Sequence, residues 1–410
     1  MQFRNFKMVD YVVFGRGSFN QVDEIIAPHR KGDYPMIFFL DHFFVGKPLA
    51  GRIPLRGKDK IVFVDGVYSS FLSETTHQGI DVCLMSAALT KDMYKPIIEA
   101  YFNKVASKEE NLTALNTAFS KEGAYIHIPK NTQAMKPIEI IHFATGREQA
   151  LLLQPRNLVV VEENAEVQIL ERHQSLSENA VFTNAVTEIF AAKSAIIDFY
   201  KVQNDNNSAS LVDNTYIDQH SQSVVTLHTF SFGGKMTRNN LNFYQNGERI
   251  DSTMKGVTII GDGQHVDHHT LVHHIQPNCE SHQDYKGIYD GNSTGVFNGK
   301  IMVDRLAQKT NAFQQNNNLL ISDKSSINTK PQLEIFADDV KCSHGCTIGQ
   351  LDHEALFYLQ SRGIGKKEAQ ALLMYAFANN VLESVRIPEL KKRVNALIAE
   401  KLGVNLGFEL

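Results

Sequence analysis

Two thiols and one imidazole lie within five residues of one another in the stretch DDVKCSHGC, residues 338–346. Cys342, His344 and Cys346 are ligand types that bind zinc, or iron that is bound to sulfide. On an extended strand alternate side chains share a face, but Gly345 is expected to turn the chain, which leaves Cys342 and His344 as the pair on one face. Two or three ligands from one chain make an open metal site that a partner would have to complete. The alternative is a buried thiol beside a hydrogen-bonded imidazole.

A second group of histidines lies in HVDHHTLVHH, residues 265–274. In a helix, histidines four residues apart would line one face and could bind zinc. The flanking sequences favour a strand instead, and its period of two separates the side chains. One side then carries His265, Asp267 and His269, and the other carries His268 and Thr270. This pattern favours solvent-facing and ladder-forming histidines over a metal site.

The sequence contains few motifs that are typical of enzymes. Gly15, Gly17 and Ser18 in FGRGSF could hold a phosphate at a helix N-terminus, but a tight strand-to-helix turn explains them equally well. The sequence contains no Walker A lysine motif, no G-x-S-x-G elbow and no paired-acid signature.

Composition narrows the class of protein. The formal charge of -4 and the pI near 6.5 argue against a nucleic-acid binder, which needs clustered cationic charge. Four cysteines, at positions 83, 279, 342 and 346, indicate free thiols in a reducing compartment. Neither a signal peptide nor a stretch of roughly 18 apolar residues is found, so we expect a cytoplasmic protein that does not enter a membrane.

The elements that must position these residues follow from periodicity. Residues 1–66 predict a small α/β segment, and residues 67–110 a helical connector. Residues 111–346 consist of short β runs, with turns about 20 residues apart and with QQNNN as a place where amides stack between coils. This pattern favours a parallel β-helix, or solenoid, over a β-sandwich, which would need closely spaced Asn-Gly or Asp-Gly hairpins.

Residues 347–410 predict a helical C-terminal domain. Asp352 is an N-cap, Gly363 ends the first helix, Pro388 begins the third, and Gly403 ends it. The second helix has a wide apolar arc that includes Leu372, Tyr375 and Phe377. This is more apolar surface than a lone outer helix needs.

A long ordered series of segments resembles the SufD branch of the SufB/SufD family of iron-sulfur cluster assembly proteins. The segments include LTALNTAF, NLVVVEENAEVQILERH, VDHHTLVHHIQPNCES, AQKTNAFQQNNNLLISDKSSINTK and FADDVKCSHGCTIGQLD. They extend from about Tyr68 to the carboxyl end. The resemblance implies a mainly β fold, namely a right-handed parallel β-helix closed by C-terminal helices.

The resemblance also implies a function, that of a non-catalytic scaffold subunit in a complex with SufB and the SufC ATPase. His344 would face SufB where a transient iron-sulfur cluster forms, Cys342 would be a candidate ligand shared with SufB, and Cys346 a weaker one. The C-terminal helices, with Leu372, Tyr375 and Phe377, would dock SufC. No tightly bound cofactor is expected in the isolated chain. Without SufB, the chain could form a homodimer.

Residues 1–65 do not fit this family by their motifs. YVVFGRGSFNQVDEI together with GKPLAGRIP resembles the amino-terminal edge of an iron-dependent alcohol dehydrogenase. The rest of such an enzyme is missing, so dehydrogenase activity is not implied. Two alternative functions stay open from sequence: a β-helix enzyme acting on polysaccharide, and an oxidoreductase that uses the N-terminal segment.

Overall fold

The computed structural model describes residues 59–75, 79–107, 109–145 and 150–403. In these residues the fold is mainly β, and the chain forms a solenoid of about eight turns followed by helices. This confirms the predicted fold class. The turn predicted at Gly15, Gly17 and Ser18 lies outside the described residues, as does most of the predicted N-terminal α/β segment.

Twenty strands form the solenoid and its edges. In chain order they are β1 (Asp59–Val64), β2 (Val67–Tyr68), β3 (Asp81–Leu84), β4 (Ala124–Ile128), β5 (Ile138–Ala144), β6 (Leu151–Leu153), β7 (Arg156–Val161), β8 (Glu166–Ser175), β9 (Val181–Ala191), β10 (Ile196–Gln203), β11 (Ala209–Gln219), β12 (Val224–Ser231), β13 (Met236–Gln245), β14 (Asp251–Ile260), β15 (His265–His274), β16 (Glu280–Tyr289), β17 (Thr294–Val303), β18 (Asn311–Leu320), β19 (Ser326–Ile335) and β20 (Lys341–Gly349).

These strands form two sheets that face each other. Sheet A has the order β2-β1-β5-β8-β10-β12-β14-β16-β18-β20, and sheet B has the order β19-β17-β15-β13-β11-β9-β7-β4-β3, with β6 also paired to β9. Pairing is parallel except between β1 and β2 and between β3 and β4. Strand β1, which the sequence assigned to the N-terminal segment, pairs in parallel with β5 and is part of sheet A.

One coil of the solenoid is longer than the turn spacing suggested. Asp251 pairs with Glu280, and Glu280 pairs with Asn311, so each coil runs from one of these register partners to the next. The turns are closer together than the expected spacing of about 20 residues, because each coil contains two of them. Each coil needs two strands, many of them ten residues long, and two turns.

One corner of the solenoid repeats the same backbone conformation in successive coils. A residue with φ between 57° and 64° occurs there at Asn164, Ser194, Gln222, Arg249, Asn278 and Lys309. The backbone N–H of each residue donates to a carbonyl of the next coil, for example from Asn278 to Gln308 at 2.9 Å. Stacked corners of this kind hold neighbouring coils in register, since every corner N–H has a partner.

The main core lies between the two sheets. Inward-facing aliphatic residues stack from coil to coil, as in Val167, Ile197 and Val225, which are all almost fully buried. Amides of β18 bond between coils, as QQNNN predicts, where the Nε2 of Gln314 donates to Gln283 in the preceding coil at 3.2 Å; the Nδ2 of Asn318 donates to Asn316 within the same strand at 2.7 Å. Hydrophobic burial and these amide hydrogen bonds together stabilise the stack.

Six helices lie in the described residues. They are α1 (Met85–Leu89), α2 (Lys95–Tyr101), α3 (Asn111–Phe119), α4 (His353–Ser361), α5 (Lys366–Leu382) and α6 (Pro388–Lys401). Two local predictions differ from this. Within the predicted helical connector, residues 81–84 form strand β3, and α3 is helical where β structure was predicted to begin.

The C-terminal helices begin and end where the sequence predicts. Asp352 Oδ1 accepts hydrogen bonds from the N–H groups of Glu354 and Ala355, at 2.8 and 3.3 Å, and Pro388 begins α6. Helices α5 and α6 share a hydrophobic cluster with outward-facing residues of sheet A, including Tyr200 and Phe230. The helices thus cover part of the outer face of that sheet. None of the helices in the described part of the chain is long and apolar enough to cross a membrane.

Candidate metal-binding end of the solenoid

The last strand, β20, runs extended through Gly345. Gly345 lies opposite Gln315 of β18 in an unbroken parallel register, and its φ is outside the left-handed region. The turn predicted at this glycine is therefore wrong. Glycine permits a turn without requiring one, and pairing with β18 decides the conformation.

The three candidate ligands consequently share one face of β20. Their register partners on β18 are Ala312, Gln314 and Asn316, which are all buried between the sheets. The shared face is thus the inner face of the solenoid, and in the described residues no later strand pairs with β20. For this reason Cys342 is only half-buried, while His344 and Cys346 are exposed.

Apolar side chains surround this open end. Ile348 continues the same face of β20 and is 50% exposed. From the opposing sheet, Leu333 packs with Cys342 in one small cluster, and Ile335 is partly exposed at the inner face of β19. An exposed edge strand with candidate metal ligands and apolar residues on its open face is the type of surface that another protein can cover.

Cys342 at the open end is a protonated thiol. Burial raises the pKa of Cys342, so this side chain is protonated at neutral pH and gives up its proton only to a base or a metal ion. Alternate residues of a strand are about 6.6 Å apart along its axis. Among the described residues, Cys342, His344 and Cys346 are not brought together into one compact coordination group. A metal site made from these side chains would therefore need further ligands from another surface.

The histidines of β15 follow the predicted strand pattern. His268 and Thr270 point inward and are buried, whereas His265 and His269 are partly exposed. The Nε2 of His269 lies 3.0 Å from Asp267 Oδ1, and Arg238 lies 3.0 Å from the other oxygen of that carboxylate. A helical zinc face is excluded because the segment is a strand.

The apolar arc of α5 faces its own solenoid. Leu372, Tyr375 and Phe377 are all half-buried, and the last two pack against the cluster shared with sheet A. The Nζ of Lys286 donates to the Phe377 carbonyl at 3.0 Å. Exposed aromatic surface lies instead on α4, where Phe357 is 72% exposed and Tyr358 is 57% exposed. The intramolecular contact accounts for much of the apolar surface that suggested a partner.

A groove of about 620 Å³ crosses the outer face of sheet B. It is the described feature that a polysaccharide-active enzyme would use, and its lining contains one carboxylate, that of Glu110. Glu110 accepts the N–H of Thr113 as the N-cap of α3. Because glycoside hydrolysis uses a pair of acids and this single acid is engaged, the groove does not favour the enzyme alternative.

Another cluster was missed from the sequence. His142, Glu171 and His173 are buried, and one ligand atom from each lies within 4.8 Å of the others. His142 and His173 are register partners on β5 and β8. The signal that could have found them is E-x-H on one strand with a histidine one coil earlier.

Comparison with known families decides the relationship. A family model described as "SUF system FeS cluster assembly, SufBD core domain" matches residues 142–377, more than half of the chain, and a model described as "SufBD protein N-terminal region" matches residues 53–140. The chain belongs to the SufBD family. Relatives include a SufBD family protein of Synechocystis, 33% identical over 85% of this chain and 78% of that protein.

Two SufD proteins are also similar to this chain. Iron-sulfur cluster assembly protein SufD of Escherichia coli is 31% identical over 91% of this chain and 88% of its own length. The SufD protein of Bacillus subtilis is 27% identical over 85% of this chain and 81% of its own length. The predicted resemblance to SufD proteins is thereby confirmed.

The comparisons do not support the dehydrogenase-like fragment. The match to the E. coli protein covers 91% of the chain, which is more than positions 68–410 can supply, so it extends to positions before Tyr68. The N-terminal family model likewise begins at residue 53, before the expected join. The resemblance to a dehydrogenase rested on motifs of only a few residues, which are too short to assign this region.

Proposed function

We propose that this SufBD family protein is a non-catalytic, cytosolic scaffold subunit that works with SufB-like and SufC-like partners in iron-sulfur cluster assembly. The single observation that carries the proposal is the shared, exposed inner face of β20, which presents Cys342, His344 and Cys346 at an open end. Family membership supplies the class of cargo, a cluster of iron and sulfide.

The nascent cluster is the substrate of this arrangement. A thiolate and an imidazole are ligands for iron bound to sulfide, and ligands spread along one strand leave coordination positions for donors from a partner. The surrounding exposed residues Ile335 and Ile348 supply apolar area for docking a second surface. His344 has the central role because it lies between the two cysteines.

A second surface would engage the ATPase partner. Phe357 and Tyr358 on α4 are the exposed aromatic pair of the C-terminal helices, and aromatic residues are enriched at binding hot spots. The earlier candidates, Leu372, Tyr375 and Phe377, are half-buried, so their part in docking is secondary in this proposal.

The test is co-expression of the chain with its SufB and SufC counterparts, followed by iron and sulfide analysis of the purified complex. His344→Ala should lower cluster content at least several-fold while the complex still forms, because one ligand is lost from an exposed surface. Cys342→Ser and Cys346→Ser should each lower it to a smaller extent.

Ser343→Ala is the matched control, since Ser343 lies on the same strand but on its outer face and is exposed. Normal iron and sulfide content in all three ligand variants would contradict the proposal. Association of the chain only with a second copy of itself would also contradict it.

A further inference from the structure

A buried polar cluster lies inside the solenoid, far along the chain from β20. His142 on β5 and Glu171 and His173 on β8 point into the space between the sheets, beside Lys201 on β10. The Nε2 atoms of His142 and His173 lie 3.5 and 3.6 Å from Glu171 Oε1. Neither Nε2 has a hydrogen-bond partner in the described residues, although both side chains are almost fully buried.

The two separations from Glu171 Oε1 are close to those between ligands of one metal ion, and all three ligand atoms lie within 4.8 Å of one another. With metal–ligand bonds of about 2.1 Å, neighbouring ligand atoms lie about 3.0 to 3.5 Å apart. Two imidazoles and a carboxylate are the donor set of zinc hydrolases and of non-haem iron(II) sites. Asn157 Nδ2 donates to Glu171 Oε1 at 2.9 Å and orients the carboxylate, as second-shell partners do.

The charge balance of the cluster calls for another cation. The ammonium group of Lys201 lies 3.0 Å from Glu171 Oε2 and 2.6 Å from Asp213 Oδ2, so two carboxylates share one lysine. A divalent ion held by the two imidazoles and the Glu171 carboxylate would supply the second positive charge.

The cluster also has a route to solvent. His142 lines a pocket of about 360 Å³ together with Phe63, Phe143 and Leu153, and the same pocket is lined by the exposed residues Val67 and Leu152. The His142 ring lies between Phe63 and His173, with ring centroids 5.1 and 4.6 Å away, so the two imidazoles are held side by side. An ion that enters this pocket reaches the first of the three ligands.

We propose that His142, Glu171 and His173 form a binding site for one divalent transition-metal ion inside the solenoid, separate from the open end. The ligands come from two adjacent coils, so the bound ion would cross-link β5 and β8. A site of this kind belongs to the chain itself and does not depend on a partner or on the proposed assembly function.

The experiment titrates Co²⁺ into metal-free protein that carries Cys342→Ser, His344→Ala and Cys346→Ser, which removes the donors of the open end. We expect one Co²⁺ per chain, with visible d–d absorption and without thiolate charge transfer. Glu171→Gln and His173→Gln should each weaken binding by more than the roughly 10- to 100-fold that loss of an outer-shell partner costs.

His269→Gln, on the outer face of β15, is the control and should leave Co²⁺ binding unchanged. A parent chain that binds no Co²⁺, or binding that the Glu171 and His173 variants do not alter, would overturn the proposal in favour of a purely internal ion-pair network. If a triad variant fails to fold, cadmium NMR of the parent decides. A resonance typical of nitrogen and oxygen ligands supports the site, whereas a sulfur-type resonance or none overturns it.

Discussion

Phe357 and Phe377 have the same side chain in opposite environments. Phe357 on α4 is 72% exposed, whereas Phe377 on α5 is half-buried against sheet A, with the ammonium of Lys286 5.0 Å from its ring centroid. The sequence could not separate them, because a wide apolar arc indicates burial without saying whether the covering surface comes from the same chain or from another. The position of sheet A determines which apolar residues of the helices are covered, and that position is set by residues far earlier in the chain.

Substitution of these two residues should separate folding from docking. Phe377→Ala should lower the free energy of unfolding by about 1 to 3 kcal/mol, less than the ~3–5 kcal/mol of a fully buried phenylalanine. Phe357→Ala should change it by no more than about 0.5 kcal/mol, yet weaken binding of the SufC counterpart. Urea unfolding and calorimetric titration measure the two effects, and unchanged SufC binding by Phe357→Ala would argue against α4 as the docking surface.

At the scale of elements, Glu188 on β9 fastens the segment that follows α2. Its carboxylate accepts hydrogen bonds from four successive backbone N–H groups, in residues 103–106, at 2.7 to 3.1 Å. It also pairs with the buried guanidinium of Arg156 at 2.5 Å. This buried charge therefore fixes residues 103–106 of the connector against sheet B, in addition to the pairing of β3 with β4.

Removal of this carboxylate should loosen residues 103–106 of the connector. Glu188→Ala leaves Arg156 without its partner and should lower the free energy of unfolding by about 3 to 5 kcal/mol, the usual cost of breaking a buried pair. Hydrogen exchange at residues 103–106 should become faster. Glu178→Ala, at an exposed position, should change neither quantity; equal behaviour of the two variants would contradict this account.

Elements with strong local signals could be predicted from the sequence, and those fixed by distant pairing could not. The strand at β15, the amide ladder of β18 and the caps at Asp352 and Pro388 all follow from nearby residues. Strand β3 exists because it pairs antiparallel with β4, much later in the chain, which no local pattern reveals. Gly345 was misjudged for the same reason, since its partner on β18 lies one full coil earlier.

At the scale of the whole molecule, coil length decides which side chains meet. His142 and His173 are register partners in adjacent coils, and they become neighbours only because one coil spans the sequence between them. With coils as short as the expected turn spacing they would not face each other, so the triad could not be predicted. The exposure of the open end could not be predicted either: the sequence names the candidate ligands, but their exposure depends on where the stack of coils stops.

Buried neutral histidines should make the solenoid sensitive to acid. Burial lowers the pKa of His228 and His274 to about 3 and that of His268 to about 4. The unfolded chain, with a histidine pKa near 6.5, binds these protons first, so stability falls as the pH drops below about 6.5. Each of these histidines should lower the free energy of unfolding at pH 5 by about 2 kcal/mol relative to its value at pH 7.

Urea unfolding at pH 7, 6 and 5 measures this loss. His274→Gln should remove about 2 kcal/mol of the difference between pH 7 and pH 5, because one of the three proton-linked contributions disappears. Ser343→Ala, which removes no titrating group from an exposed position, provides the comparison and should leave the pH dependence unchanged. An identical pH profile for His274→Gln and the parent would refute the assignment to buried histidines.

The most direct measurement of the central claim is nitrogen hyperfine spectroscopy of the reduced cluster in the complex with the SufB and SufC counterparts. If the open end of the solenoid supplies a ligand, the spectrum contains a strongly coupled imidazole nitrogen that disappears in His344→Ala and persists in Ser343→Ala. A cluster without such a nitrogen, or with one that survives His344→Ala, would contradict the account.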